Sequence, residues 1–464
     1  MDKKQNEGAI AETNLSDSLN IVQVNSTDTG GGAARLAVSL HDAYRKIGHH
    51  SWLVVGHKLG SDKDTLPIRH DLAATWWQSP FWRAENEVAY SRFKSLRWLR
   101  YALLMASEPQ RFSDWYQGRE DFYFPGTSRL LDLPGAAIDI LHLHNLHGRY
   151  FDLRRLPELS AAVPTLLSLH DAWLMSGHCA HSLNCERWRE GCGHCPDLTL
   201  YPAILRDATA ENWRRKREIY ARSRYHIVAP CQWIADKAAA SPLQAGMLDM
   251  RVIHHGVDLS CFKPGDRAEA RHALGLSQKS QIVLMVANHI RRSPWKGFLA
   301  AHAAFEQLSA QNRQKPLLVL VVGDSPAEEH LGDVTIRYLP YVTDRSDLAR
   351  YYQAADLFLN ASTAETFNLT IIEALACGLP VVATAVGGTP EEINSWLGAG
   401  EKDANGILVP AGDSTAMALA IAQLLDDEPL RHTLGQNGAR RAASEFDFNL
   451  QAAKYLDYYR EIIT

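Results

Sequence analysis

The stretch Asn360-Ala-Ser-Thr-Ala-Glu365-Thr-Phe-Asn368-Leu-Thr-Ile-Ile-Glu373-Ala-Leu-Ala-Cys-Gly378-Leu-Pro380-Val-Val-Ala decides the fold. Leu357-Phe-Leu-Asn, where it begins, and Val381-Val-Ala-Thr, where it ends, are short apolar runs suited to buried strands. The segment between them is then the helical crossover of a parallel sheet. On one continuous helix Glu365 and Glu373 would stand about 80° apart. The polar run around Glu365 places it instead in the loop ahead of the first turn, with Glu373 a turn or two behind, and Gly378 stops the helix. Open parallel sheets bind ligands at the carboxyl ends of their strands, where helix N-termini aim backbone N–H groups outward. A phosphorylated ligand is the expected guest.

Working outward, the second half repeats this alternation. Gln281-Ile-Val-Leu-Met-Val-Ala-Asn288 is a strand, followed by a polar loop carrying Arg291, Arg292, Lys296 and Gly297, and then a helix from Phe298. Strands are expected at 316–323 and 334–342, the latter ending in Tyr341-Val342, and Gly387-Gly388-Thr-Pro390-Glu391 is a glycine loop entering a helix. The first half opens in the same way. Asn20-Ile-Val-Gln-Val-Asn25 is a strand, Gly30-Gly31-Gly32 closes a flexible polar loop, and a helix runs on to Gly48. Two further strands end in histidine, at His142, His144 and His147 and at His170-Asp171, where strand ends feed a cleft. The fold class is therefore α/β, with two Rossmann-like doubly wound domains facing across a cleft. The boundaries expected are a polar, disordered leader at 1–18, a first domain at 19–250, a second at 251–447 and a terminal helix at 448–464 able to pack on either.

The first domain carries two departures from the plain pattern. Between 72 and 131 aromatics accumulate, including Trp76, Trp77, Trp82, Trp98 and Trp115, and residues 89–104 hold Arg92, Lys94, Arg97 and Arg100 with no acid. One reading turns the tryptophans inward beneath a solvated basic face; the other lays 76–104 on an anionic membrane surface or a lipid-linked acceptor. Residues 179–195 gather Cys179, Cys185, Cys192 and Cys195. The last two form a C-x-x-C pair suited to a structural zinc, and disulfides and unmodified thiols are the alternatives. Four thiolates would leave a metal no open position for catalysis.

Composition bounds the function. A net charge of -5 over 464 residues argues against a general nucleic-acid binder. No run approaches the length needed to span a bilayer, and the N-terminus lacks the apolar core of a secretory signal, so a cytoplasmic protein is expected, with peripheral contact at the inner membrane face.

The charged residues suggest a chemistry. A diphosphate needs cations, which Arg291, Arg292 and Lys296 supply, while ionised carboxylates accept hydrogen bonds from sugar hydroxyls. A nucleotide sugar satisfies both. The E-x7-E spacing of Glu365 and Glu373, the following Ala-Leu-Ala-Cys-Gly378-Leu-Pro380, the Gly387-Gly388 loop and Lys296-Gly297 closely resemble the retaining glycosyltransferases of family 4, which have the GT-B fold. That resemblance is close from about 250 to 445 and looser from 20 to 245. It implies a nucleotide-diphosphate sugar donor, UDP- or GDP-linked, and no metal for catalysis. It implies that Arg291 or Arg292 with Lys296 holds the diphosphate, that Glu373 binds ribose and that Glu365 meets the sugar near the reacting carbon. The amides of Thr366, Phe367 and Asn368 would touch sugar or phosphate, Tyr341 and Val342 would flank the base, Gly30, Gly31 and Gly32 would approach phosphates or acceptor, and His170 would contact the sugar. Two positions depart from the family pattern: Asn368 stands where glycine is common, and the arginines come later than a phosphate-binding arginine that follows the strand directly. The aromatic excursion and the cysteine cluster resemble a bacterial branch of exopolysaccharide and colanic-acid-type assembly. The implied reaction is hexose transfer to a glycan or lipid-linked acceptor. A catalytically silent glycan-binding or scaffold subunit, and an epimerase of the same fold, are its rivals.

Overall fold

The computed structural model describes residues 18–89, 97–311, 314–396 and 402–464. The expected leader, save Ser18, and the basic residues Arg92 and Lys94 lie outside the described residues. The chain clusters into two compact units. The first holds the described residues up to Pro230 with Ile234–Ile253 and Ala452–Thr464; the second holds Cys231–Trp233 and His254–Gln451.

The first unit is built on β1 (Asn20–Thr27), β2 (His50–His57), β3 (Thr65–Pro67), β4 (Ile140–Leu143), β5 (Thr165–Ser168), β6 (Tyr225–Ala229) and β7 (Met247–Val252). They lie in the order β3-β2-β1-β4-β5-β6-β7, every pair parallel. Helices on both faces explain why β4 and β5 are buried at every position rather than alternating. The crossover helix Gly32–Lys46 buries Leu36, Ala37, Leu40 and Tyr44, a stripe at helical spacing. The chain's last residues, Ala452–Thr464, cluster with this unit, where Tyr459 bonds His142 at 2.7 Å and Tyr455 bonds Ser168 at 3.0 Å.

The aromatic excursion leaves the sheet after β3 as helices His70–Ala73, Ser79–Ala89, Arg97–Ser107 and Pro109–Gln117. Trp82 turns inward against Leu104 and Phe124. The inward reading does not extend to its neighbours, for Trp76 and Trp98 are 88% and 68% exposed. This excursion has only a small satellite core, too small to cover five indoles.

The second unit is built on β8 (Gln281–Val286), β9 (Leu317–Val322), β10 (Ala327–Leu331), β11 (Val334–Leu339), β12 (Leu357–Asn360), β13 (Val381–Thr384) and β14 (Gly406–Val409). Their order is β10-β11-β9-β8-β12-β13-β14. All pairs are parallel except β10–β11, an antiparallel hairpin at the edge. The charged run of β10 gives no strand signal in the sequence; it pairs because an edge strand tolerates Glu328 and His330 facing solvent, while Glu329 turns to His302 and Tyr338. In both sheets the order reverses beside the first strand, between β1 and β4 and between β8 and β12. Ligands bind doubly wound sheets at such switch points. Among the described residues no helix is long and apolar enough to cross a membrane.

Candidate functional site

At the second switch point two loops are brought into register by close backbone packing. Gly297 has φ 61°, and a Cβ there would lie 1.7 Å from the carbonyl oxygen of Ala361, so only glycine lets the loop after β8 lie against the loop after β12. The N–H of Thr363 donates to the carbonyl of Trp295 at 2.8 Å and locks the pair. The consequence is an ion pair between Lys296 Nζ and Glu365 Oε2 at 2.9 Å, partly open to solvent. Asn368 Nδ2 donates to the same carboxylate oxygen at 3.2 Å. Glu365 thus stands in the loop, and the helix is Leu369–Ala376 with Asn368 as its N-cap, whose Oδ1 accepts from Thr370 N at 3.0 Å. Asn368 has φ -106° and ψ 101°, an extended backbone that demands no glycine.

The other expected residues separate into tied and untied groups. Glu373 is buried on helix Leu369–Ala376, where the Tyr352 hydroxyl donates to its Oε2 at 2.8 Å. Arg291 bonds Asp324 Oδ1 and the Ser325 carbonyl at 3.0 and 2.8 Å and lies 4.2 Å over the Tyr338 ring. Arg292 is exposed and has no ion-pair partner among the described residues. Tyr341 is exposed beyond the end of β11 and Val342 half-buried. The Phe367 side chain packs among His254, His255 and Phe446.

Of the three amides expected to meet the ligand, that of Asn368 is already engaged, donating to Glu392 Oε1 at 2.5 Å. The amides of Thr366 and Phe367 have no acceptor among the described residues. The Gly387-Gly388 turn is not open to phosphate at its Cα positions. A Cβ on Gly387 would lie 1.7 Å from the Glu365 carbonyl oxygen and one on Gly388 2.2 Å from that of Thr366, so these glycines let the turn press on the main chain that carries Glu365. Glu391, at the end of that glycine loop, has a carboxylate that accepts from the N–H groups of Gln232 and Trp233 at 2.6 and 2.7 Å. Sequence reasoning assigns no role to its neighbour Glu392. Burial pushes that carboxyl well above the ordinary carboxylate range, and its Oε2 has no partner among the described residues. Ser362, Thr366 and Thr389 likewise hold buried hydroxyls without partners. Orphaned polar atoms are rare in native interiors, and these four lie on the two neighbouring segments that follow β12 and β13.

In the first unit the loop after β1 opens helix Gly32–Lys46, with Gly30 and Gly31 at φ 75° and 52° and nothing within 4 Å of where a Cβ would stand. These glycines are needed for backbone conformation and leave open space, the reverse of Gly297. Beyond β4 and β5 the histidines form two sets. His170 Nε2 lies 3.0 Å from His144 Nδ1, and burial lowers the His170 imidazole to about 4. His142 is fully buried and bonded to Ser168 at 2.7 Å, and burial lowers it to about 3. His147 pairs with Asp171 at 2.7 Å. Burial works against both charges, yet each overrides it for the other: His147 is held above its ordinary value and Asp171 at about 2.

Cys179, Cys185, Cys192 and Cys195 are all unpaired. Cys192 Sγ accepts from Gly177 N at 3.3 Å, and Cys195 Sγ lies 3.4 Å from His178 Nε2. Burial pushes the Cys192 thiol up to about 12, which favours the protonated form. Among the described residues no group of three or more His, Cys, Asp or Glu is gathered to hold a metal. The four thiols nonetheless lie within electrostatic reach of one another, Cys179 of Cys185 and Cys195, and Cys192 of Cys179 and Cys185.

Residues 266–441 match the family model described as Glycosyl transferases group 1. The chain is 36% identical over 229 residues to a D-inositol 3-phosphate glycosyltransferase of Saccharomonospora viridis, spanning 46% of this chain and 50% of that protein. It is 35% identical over 210 residues to one of Mycobacterium marinum, spanning 42% and 40%. The chain thus spans about half the length of the curated relatives it matches. Among solved structures, sucrose-phosphate synthase from Thermosynechococcus elongatus aligns over 96% of this chain and 99% of its own, at 19% identity and a TM-score of 0.65. Anabaena Alr3699/HepE in complex with UDP-glucose aligns over 95% and 100%, at 19% identity and 0.58. These likenesses establish the fold, two Rossmann-like α/β domains of the GT-B type.

Proposed function

We propose that the protein is a glycosyltransferase that moves a hexose from a nucleotide-diphosphate sugar to a hydroxyl of a glycan or lipid-linked acceptor, with retention at the anomeric carbon. The observation that carries this reading is the Lys296–Glu365 pair at the switch point between β8 and β12, supported by the family match over the same region. Lys296 and the unpaired Arg292 neutralise the diphosphate, and Arg291, tied to Asp324, shapes the loop that presents them. Glu365, an acceptor only, takes hydrogen bonds from the sugar's hydroxyls. The amides of Thr366 and Phe367 face sugar or phosphate, Tyr341 and Val342 flank the base, and Glu373 reaches the ribose with the carboxylate that Tyr352 steadies.

In the transfer the bond from the anomeric carbon to the diphosphate oxygen breaks as negative charge gathers on the leaving group beside Lys296. The bond to the acceptor oxygen forms on the same face, and the departing phosphate takes the acceptor's proton. The transition state has the oxocarbenium character of glycosyl chemistry. The UDP-glucose complex of Anabaena HepE makes a uridine donor the first to test. The acceptor read here is a growing bacterial surface or exopolysaccharide glycan, on the aromatic excursion and cysteine pattern; the curated relatives are named instead for an inositol phosphate acceptor.

The test is nucleotide release from a panel of UDP-, GDP- and ADP-sugars. One donor is expected to be turned over, with Lys296→Met slowing the release by about 10²–10³. Binding of a donor with no transfer or hydrolysis would favour the silent glycan-binding subunit, and interconversion of the free sugar nucleotide the epimerase.

A further inference from the structure

The aromatic excursion encloses a cavity of about 590 Å³ that nothing above assigns. That volume falls within the range of small-molecule sites. Its walls are mainly apolar, drawn from Tyr101, Leu104, Met105, Trp115, Trp173 and Ile204. The apolar surface does not stop at the mouth. Trp98, Phe112 and Leu205 also line it, and each is more than half exposed. Large apolar side chains left in water around a cavity mark a binding site.

The charges on the walls say what kind of ligand fits. Arg111 bonds Asp121 at 3.0 Å and the Leu104 carbonyl at 2.7 Å, Asp114 accepts from Tyr123 at 2.8 Å, and Glu120 pairs with buried Lys216 at 2.9 Å. These groups find partners within the protein, except that Glu120 Oε2 is buried with none among the described residues. Arg149 is exposed, has no ion-pair partner among the described residues, and lies 4.6 Å over the Tyr101 ring. It stands two residues beyond His147, which also lines the cavity and which Asp171 favours as a cation. The cavity is therefore apolar with one cationic corner, just past the end of β4.

We infer that this cavity binds the apolar chain of a lipid-linked acceptor, with Arg149 holding a phosphate at the head of that chain and His147 meeting a hydroxyl of the attached sugar. The inference rests on the glycosyltransferase reading and narrows its acceptor to an amphiphile. A free sugar would leave the apolar walls unused, and a free phosphate would meet one cation only. A chain joined to a phosphate uses both.

The experiment is calorimetric titration of the full chain with monododecyl phosphate below its micelle concentration, beside the eight-carbon homologue, dodecyl maltoside, maltose and inorganic phosphate. One dodecyl phosphate is expected to bind per chain. Each methylene lost from a buried chain weakens binding about fourfold, so the eight-carbon homologue should bind roughly two orders of magnitude more weakly. Ala102→Trp narrows the cavity from an exposed helical position and should weaken the chain-bearing probes at least tenfold at an unchanged melting temperature. Arg149→Gln should weaken dodecyl phosphate several-fold and leave dodecyl maltoside unaffected. Maltose or inorganic phosphate binding as tightly as the chain-bearing probes, indifference to chain length, or wild-type binding by Ala102→Trp would each overturn the inference. UDP, GDP and ADP are titrated in parallel. A protein that binds one of them but not dodecyl phosphate loses only this inference, whereas one that binds dodecyl phosphate and none of the three loses the donor reading.

Discussion

The two switch points share a strand order and almost nothing else. In the second unit the loops after β8 and β12 meet as a cation and a carboxylate, Lys296 and Glu365, 2.9 Å apart. In the first, the loops after β4 and β5 meet as histidines, with His144 on His170 and His147 on Asp171. Their glycines differ as well. Gly297 and Gly387 let main chains touch, while Gly30 and Gly31 leave open space around them. Topology thus sets where the loops meet, and the loop residues set what they offer: the Lys296–Glu365 pair in the second unit, and in the first a neutral His170 beside the charged His147–Asp171 pair. On the proposed reading, the Lys296 charge belongs to the donor's diphosphate, and the imidazoles suit an acceptor's hydroxyls.

The sharpest way to break this contrast is to remove the charge from the second switch point. Lys296→Met should lower kcat/KM by about 10²–10³, the usual effect of losing one group that stabilises developing negative charge. Glu365→Gln should lower it by at least tenfold, because the amide still reaches a hydroxyl but leaves Lys296 unpaired. Steady-state rates with the active donor check both, and wild-type activity in either variant would end the assignment. His147→Ala in the first unit should instead raise KM for the acceptor by about tenfold and leave donor KM unchanged. An equal loss on the donor side would mean that the two switch points do not divide the work.

A smaller effect separates the units by pH. The first unit buries His70 and His142 at about 3 and His170 at about 4, each lowered mainly by burial. A base whose folded pKa lies below its unfolded value of 6.5 binds fewer protons in the native state. Its contribution to stability is full above pH 6.5 and is lost as pH falls towards 4 and 3. Glu392 of the second unit is the opposite case. Its carboxyl is raised above 4.5, so its contribution is full below 4.5 and is lost as pH rises from there through the folded value. Glu392→Gln should therefore melt higher than the wild type at pH 8, with the difference vanishing near pH 4. His142→Asn should do the reverse, its deficit at pH 7.5 shrinking at pH 5. Melting curves across pH 4–9 check both, and parallel curves for either variant would refute its assignment.

How much of this could be read from sequence depends on whether a residue's partner is close in the chain. The strand, loop and helix around Glu365 were legible because apolar runs and Gly378 punctuate them locally, and the placement of Glu365 ahead of the helix follows from that. The β10 strand was not, since Ala327-Glu-Glu-His-Leu has no apolar period and forms only because β11 offers an edge. Partners far along the chain were equally hidden. Nothing near Arg291 announces Asp324, and nothing near Glu373 announces Tyr352, yet these pairings divide the tied groups from the free Arg292. Between the adjacent Glu391 and Glu392 the sequence offers no preference at all; burial alone distinguishes the one that accepts from Gln232 and Trp233 from the one left half-satisfied.

The smallest expected effect concerns Asn368, where glycine is common in the family this chain resembles. Its backbone is extended, so glycine would relieve no strain, and its side chain performs two functions: Oδ1 caps helix Leu369–Ala376 and Nδ2 donates to Glu365. Glycine is itself an acceptable N-cap, so Asn368→Gly should cost only a few tenths of a kcal/mol, against about 1 kcal/mol for Asn368→Ala. In both variants the N–H that donates to Glu392 remains, and Glu365 keeps Lys296 as its cationic partner. Activity should then fall less than tenfold in Asn368→Gly, and equally in Asn368→Ala once stability is accounted for, because the same Glu365 contact is lost in each. Melting temperatures and kcat/KM for the pair test this directly. A loss as large as that of Lys296→Met would mean that Asn368 orients Glu365 for the reaction, and that the second switch point works as a three-residue unit rather than an ion pair with a helix cap beside it.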